Sequence, residues 1–207
     1  MSDRSAQEDL EMIRRLMQQG RATVRAGAPH YVVWGLLVTA ALVTEWARAR
    51  GLVDVDSLWV WAGLMGAGWA ASLIVGARSA RNAPVRTAGG RTLMGIWVGT
   101  GVTLTLAGFV GVGTGALAGG GMLGLTAAAL GGAVFATSFV HDSGLIRAAA
   151  VVWWAGAGVL FAWSDPAAIL LLAGLTAGLL LAPGIWLLAR PDGSTAAAAA
   201  RGGGAGR

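Results

Sequence analysis

The residues of this chain that could do chemistry are few, and they sit at the edges of apolar stretches rather than within them. Glu45 and Arg48 lie three positions apart, so on a helix they share one face. An interfacial ion pair is the plain expectation there, and a proton or cation contact is the sharper one. His141 and Asp142 close one apolar stretch, and Arg147 lies one turn into the next. They read either as a charge cluster that ends a hairpin or as a cytoplasmic gate or ligand contact. Pro183-Gly184 should kink the last stretch, because proline removes a backbone donor. That pair is a candidate hinge, although most such kinks only accommodate packing. Asp54 and Asp56 look like a fragment of a calcium loop, but no ligating series follows, and a solvated turn is expected.

These residues make no catalytic constellation, so the chain is read as a non-enzyme with no catalytic, cofactor or metal site. It has two histidines and no cysteine, which excludes disulfides, iron–sulfur clusters and thiolate zinc sites. There is no Gly-x-Ser-Gly with a partner histidine and no histidine box. Gly113-Thr-Gly115-Ala-Leu-Ala118 partly matches a dinucleotide fingerprint, but that motif needs a preceding strand and a solvent-facing helix start. Here it falls in or beside an apolar span and is rejected. No charged residue lies near the centre of any span, where it would cost roughly 2.5–3.5 kcal/mol on insertion scales. A classical proton relay is therefore not expected.

What must position these residues is a set of membrane helices. The 207 residues are 56% hydrophobic and 12% charged, with mean hydropathy +0.66. Soluble domains carry about 25% charged residues, and a soluble core could not absorb this much apolar surface. A helix of roughly 20 residues crosses the hydrocarbon layer. Spans are expected near 30–48, 57–77, 93–117, 120–140, 144–163 and 167–189. The fold class is thus all-α: a polytopic membrane protein of six transmembrane helices, preceded by an amphipathic N-terminal helix. Between Thr92 and Val140 there is no charge over about twice the length one crossing needs. Two spans joined by a tight turn at Gly119-Gly120-Gly121 are expected there. The first span should act as an uncleaved signal anchor, because the residues before it lack the pattern of a cleavable leader.

Arginine placement orients the spans. Thirteen arginines fall in the N-terminal segment, the loop after span two, the turn into span five and the C-terminal segment; only Arg48 and Arg50 fall on the other side. Both termini are therefore expected in the cytoplasm, which an even number of spans also requires. Trp46, Trp59, Trp61 and Trp163 mark outer ends, and Tyr31, Trp34, Trp97 and Trp186 inner ends, as expected for interfacial aromatics. Trp69, Trp153 and Trp154 lie deeper and should pack between helices. Lysine is absent, which reads as coding bias in a G+C-rich, bacterial genome. The net charge of +5 sets topology and is no sign of a nucleic-acid partner.

Residues 1–28 form the amphipathic element, with Ser5 and Glu8 at capping-box spacing and an apolar stripe of Leu10, Ile13, Leu16, Met17 and Val24. It should lie on the cytoplasmic leaflet or dock a cytoplasmic protein partner. The transmembrane domain covers 29–190, and the Ala/Gly-rich tail at 191–207 is expected to be disordered. Many of the 34 glycines recur at four-residue spacing, as in Gly95 and Gly99 or Gly174 and Gly178. Small residues at that spacing let helices approach closely in lipid. They serve internal packing or a homodimer, and the pattern alone does not separate the two. The halves 1–3 and 4–6 share no aligned motif, so no inverted repeat is read.

Leu10-Glu-Met-Ile-Arg-Arg-Leu-Met17, followed by His30-Tyr-Val-Val-Trp-Gly-Leu-Leu37, resembles a group of small, uncharacterised, multi-spanning bacterial membrane proteins. These have a short amphipathic N-terminus and a Tyr-x-x-Trp-Gly entry into the first span. The resemblance implies a bacterial inner (plasma) membrane protein and assigns no residue a role. The functional expectation is a transport- or permease-like component, and the alternative is a non-enzymatic sensor or regulatory partner docking through its N-terminal helix.

Overall fold

The computed structural model describes residues 27–82 and 88–189. The expected N-terminal amphipathic helix and the C-terminal tail lie outside them. Six helices follow one another: α1 (Gly27–Ala49), α2 (Ser57–Asn82), α3 (Ala88–Val112), α4 (Gly119–Val140), α5 (Gly144–Ala162) and α6 (Ala167–Ala189). No strand occurs among the described residues. Each helix is long and apolar enough to cross a bilayer, and the chain is a multi-pass membrane protein. Leu36, Leu73, Leu145, Phe161 and Ile185 are among many large apolar side chains left on the outside. Lipid solvates them; water would drive them together.

Local chemistry explains where the helices stop. After α1, Gly51 takes φ +70°, its N–H bonds Arg48 O at 2.9 Å, and the Leu52 N–H bonds Ala47 O at 2.9 Å. That double closure satisfies the last carbonyls with a left-handed glycine. Asp56 then caps α2, accepting from the Leu58 N–H at 2.7 Å. Asp165 caps α6, accepting from the Ala167 N–H at 2.7 Å, with Pro166 in the first turn. The threonines at 100, 105, 114, 126, 137 and 176 each bond a carbonyl of their own helix.

The third crossing departs from expectation. Expected over 93–117, it runs Ala88–Val112, and the chain turns before the Gly119–Gly121 triplet rather than at it. The last turns of α3, Ala107–Val112, widen into a π-helix. Gly115 then takes φ +75°, and the Leu117 N–H closes on Gly111 O at 2.8 Å. The Leu117 side chain lies against Gly111 on one side and Gly121 on the other. A packed leucine, invisible to glycine counting, sets the reversal, and the glycine triplet begins α4.

Packing separates a core from a periphery. The buried cluster is Leu42 of α1, Ala127, Leu130 and Val134 of α4, Ala150, Trp153, Ala157 and Leu160 of α5, and Ala168, Leu172 and Ala173 of α6. Of the apolar window of α4, 39% is buried, against 6% for α2 and 0% for α3. Without a hydrophobic force between helices in lipid, close backbone approach supplies the attraction. A Cβ on Gly131 would sit 2.6 Å from Trp154 and 3.1 Å from Trp153, and one on Gly35 would sit 2.8 Å from the Leu181 backbone. By contrast, a Cβ on Gly63, Gly66, Gly95, Gly99 or Gly132 would meet nothing within 4 Å. The glycines thus fall into two classes that their spacing did not distinguish.

Gly131→Ala should therefore lower stability by about 1–3 kcal/mol through overpacking. Gly99→Ala should leave stability unchanged or raise it by up to about 1 kcal/mol through helix propensity. Unfolding in a denaturing detergent titration, followed by far-UV circular dichroism, measures both.

Candidate functional site

Six crossings place the polar residues on two faces. Glu45, Arg48, Arg50, Asp54, Asp56 and Asp165 belong to one, where the α1–α2 and α5–α6 turns lie. Arg78, Arg91, His141, Asp142 and Arg147 belong to the other. The sequence candidates therefore form two separate groups at opposite ends of the bundle.

At the first face, Glu45 is 8% exposed and is the one buried carboxylate among the described residues. Arg48 closes on it from the next turn of α1, with Nε donating to Oε2 at 2.9 Å and a second guanidinium nitrogen also 2.9 Å away. Ser57 Oγ donates to the other carboxylate oxygen at 2.5 Å. Ser57 opens α2, so the carboxylate also lies at the positive end of that helix. Both oxygens are satisfied within the chain. Burial of a charge is tolerable here because it is paired and hydrogen-bonded.

At the second face the groups are looser. Asp142 takes φ +44° in the α4–α5 turn and is fully exposed, 4.0 Å from the Arg147 guanidinium. Arg147 lies over the Phe139 ring, 5.0 Å from its centroid, and its Nε is buried without an acceptor. His141 caps the end of α4, its N–H bonding Thr137 O at 3.2 Å. Burial lowers the His141 imidazole from its ordinary value of 6.5. His141 and Arg147 therefore share a corner, each held by other neighbours.

Pro183 and Gly184 sit where α6 presses on α1. The helix widens into a π-segment over Ala177–Leu181, with the Ala182 N–H bonding Ala177 O, directly ahead of the proline that has no N–H to give. Gly184 is buried, and a Cβ there would lie 2.9 Å from Val32 and 3.0 Å from Tyr31. The break is thus clamped against α1.

Two features escaped sequence reasoning. Ser57 is one; its signal was its place just after the turn that follows Glu45, which brings it back beside α1. The other is an aromatic seam joining three helices: Trp34 to Trp69 at 5.6 Å, edge on, and Tyr31 to Trp97 at 5.4 Å. Within it the Trp34 indole N–H donates to Ser72 Oγ at 2.9 Å. A groove of about 440 Å³ between α3 and α4 is lined by Ile96, Gly99, Thr100, Thr103, Ala129, Gly132 and Ala133. It lies near the middle of both helices. Among the described residues, no group of three His, Cys, Asp or Glu gathers as a metal site. The chain matches no family model, no curated protein and no solved structure.

The His141 environment yields a pH effect. Folding favours the neutral imidazole, so this contribution is complete above about pH 6.5 and is lost as pH falls below it toward the lowered folded value. The thermal midpoint should drop between pH 7 and pH 5, and His141→Gln should flatten that slope. Differential scanning fluorimetry in detergent across this range tests it.

Proposed function

We propose that this chain is a transport- or permease-like component of a bacterial inner membrane, non-enzymatic, with both termini in the cytoplasm. The charge partition supports the orientation. Among the described residues, the Arg147 face carries Arg78, Arg81, Arg91 and Arg147 against Asp142 alone. The Glu45 face carries Arg48 and Arg50 against four acids. The observation that carries the transport reading is the discontinuity of α6. An interrupted backbone ladder gives a helix a second arrangement within reach, and the clamp of Gly184 on α1 would pass any rearrangement of the break to the helix bearing the buried Glu45.

A second reading, a sensor or regulatory partner docking through residues 1–28, has its own support. The buried hydroxyls of Thr137, Ser138 and Thr176 all bond their own helices, so they mark no polar path through the core.

Two experiments decide. Reporters fused after Arg190 and in the 78–91 loop should read cytoplasmic, and one beside Asp54 periplasmic; the reverse pattern overturns the orientation. In liposomes, the purified protein should support substrate flux across a broad panel, and Pro183→Ala should slow it while raising the thermal midpoint. No flux, together with a crosslinked partner lost on deleting residues 1–28, would select the second reading.

A further inference from the structure

We propose that the first part of α2, Ser57–Gly66, is a latch that covers Glu45. It is closed when Ser57 Oγ donates to the carboxylate. It opens by swinging from α1 about Gly63 and Gly66, which exposes Glu45 to the aqueous layer on its own face.

Three observations carry this. The first is uneven anchoring. Toward the Arg147 face, α2 is held by Gly68 pressed on the Trp34 ring, by the Trp34–Ser72 hydrogen bond, and by Trp69 against Gly101 of α3. Toward the Glu45 face, Leu58, Trp59 and Gly63 are exposed. The holds there are the Ser57–Glu45 bond, Trp61 packed against the core, and the half-buried Val60, Ala62, Leu64 and Met65. The second is a pair of weak points between these regions. Gly63 and Gly66 lie inside the helix with nothing within 4 Å of where a side chain would be. Interior glycines lower helix stability and stiffness, and the space around these two is free.

The third is electrostatic. Arg48, on the same helix as Glu45, keeps its bonds to Oε2 when α2 leaves. Opening therefore strands no charge: Ser57 is replaced by water at Oε1, and the ion pair travels with α1. The other charged groups near this end, Arg50, Asp54, Asp56 and Asp165, are exposed and hold nothing shut. The two states then differ by one charge-assisted hydrogen bond and the apolar contacts of Trp61 and its half-buried neighbours, which lipid replaces on opening, so the gap is small enough to populate both. The latch needs no assumption about transport, because its readout is a distance.

The chain has no cysteine, so spin labels can be placed without background. One pair, Trp59→Cys with Val159→Cys, spans latch and core at exposed positions. A reference pair, Leu145→Cys with Leu170→Cys, lies on the core helices α5 and α6, toward their opposite ends. In proteoliposomes, double electron–electron resonance should give two distances for the first pair and one for the reference. Ser57→Ala should raise the open-to-closed ratio about tenfold, the worth of a hydrogen bond to a charged group. The Gly63→Ala/Gly66→Ala variant, which creates no clash, should shift the ratio toward closed. A single narrow distance for the first pair, or a distribution that Ser57→Ala leaves unchanged while the reference pair stays intact, overturns the proposal.

Discussion

Inside a hydrocarbon layer no water completes a broken backbone hydrogen bond, and the whole molecule answers to that constraint. Every crossing is a helix because a helix satisfies its own amides and carbonyls. Turns are confined to the ends, where Gly51, Gly115 and Asp142 take left-handed backbone values and where Asp56 and Asp165 supply acceptors to the next helix. Even within the crossings, the hydroxyls of Thr100, Thr137 and Thr176 turn back on their own carbonyls. The π-segments of α3 and α6 are the places where that ladder is strained, and each lies next to a structural demand: the Leu117 turn in one case, Pro183 in the other.

The same constraint removes hydrophobic attraction between helices, so shape decides what packs. Helices α4, α5, α6 and α1 share one core because glycines at 35, 124, 131, 156 and 184 let side chains of a neighbour reach the backbone. Trp153 is buried completely at its centre. Helices α2 and α3 are attached more lightly, through rings rather than interlocked backbones. A bundle of this kind has a rigid part and a pliable part, and the pliable part carries the serine that reaches the buried carboxylate.

Charge obeys the bilayer as well. The buried Glu45 carboxylate has company: an arginine one turn away, a serine across the hairpin and the end of a helix dipole. Arg147 uses an aromatic face instead, over Phe139, with Asp142 at arm's length in solvent. The first arrangement is saturated, the second is not. They occupy opposite ends of the bundle, so no single site joins them.

Much of this was legible in the residues themselves. Runs of apolar residues long enough to cross lipid identify the helices, because lipid-facing and core-facing positions must both be greasy. The Glu45–Arg48 pair was equally legible, since it depends on neighbours along one chain segment. What depends on other segments was not. Glycines at 99 and 131 are alike in sequence, yet one faces open space and the other a pair of tryptophans. Leu117 displaced the third reversal from the glycine triplet by packing between two glycines. Ser57 found Glu45 only because the hairpin folds back on itself. Composition and spacing report how each stretch meets its solvent; which helix lies against which is settled by shape complementarity between distant segments, and that exists only once the bundle has assembled.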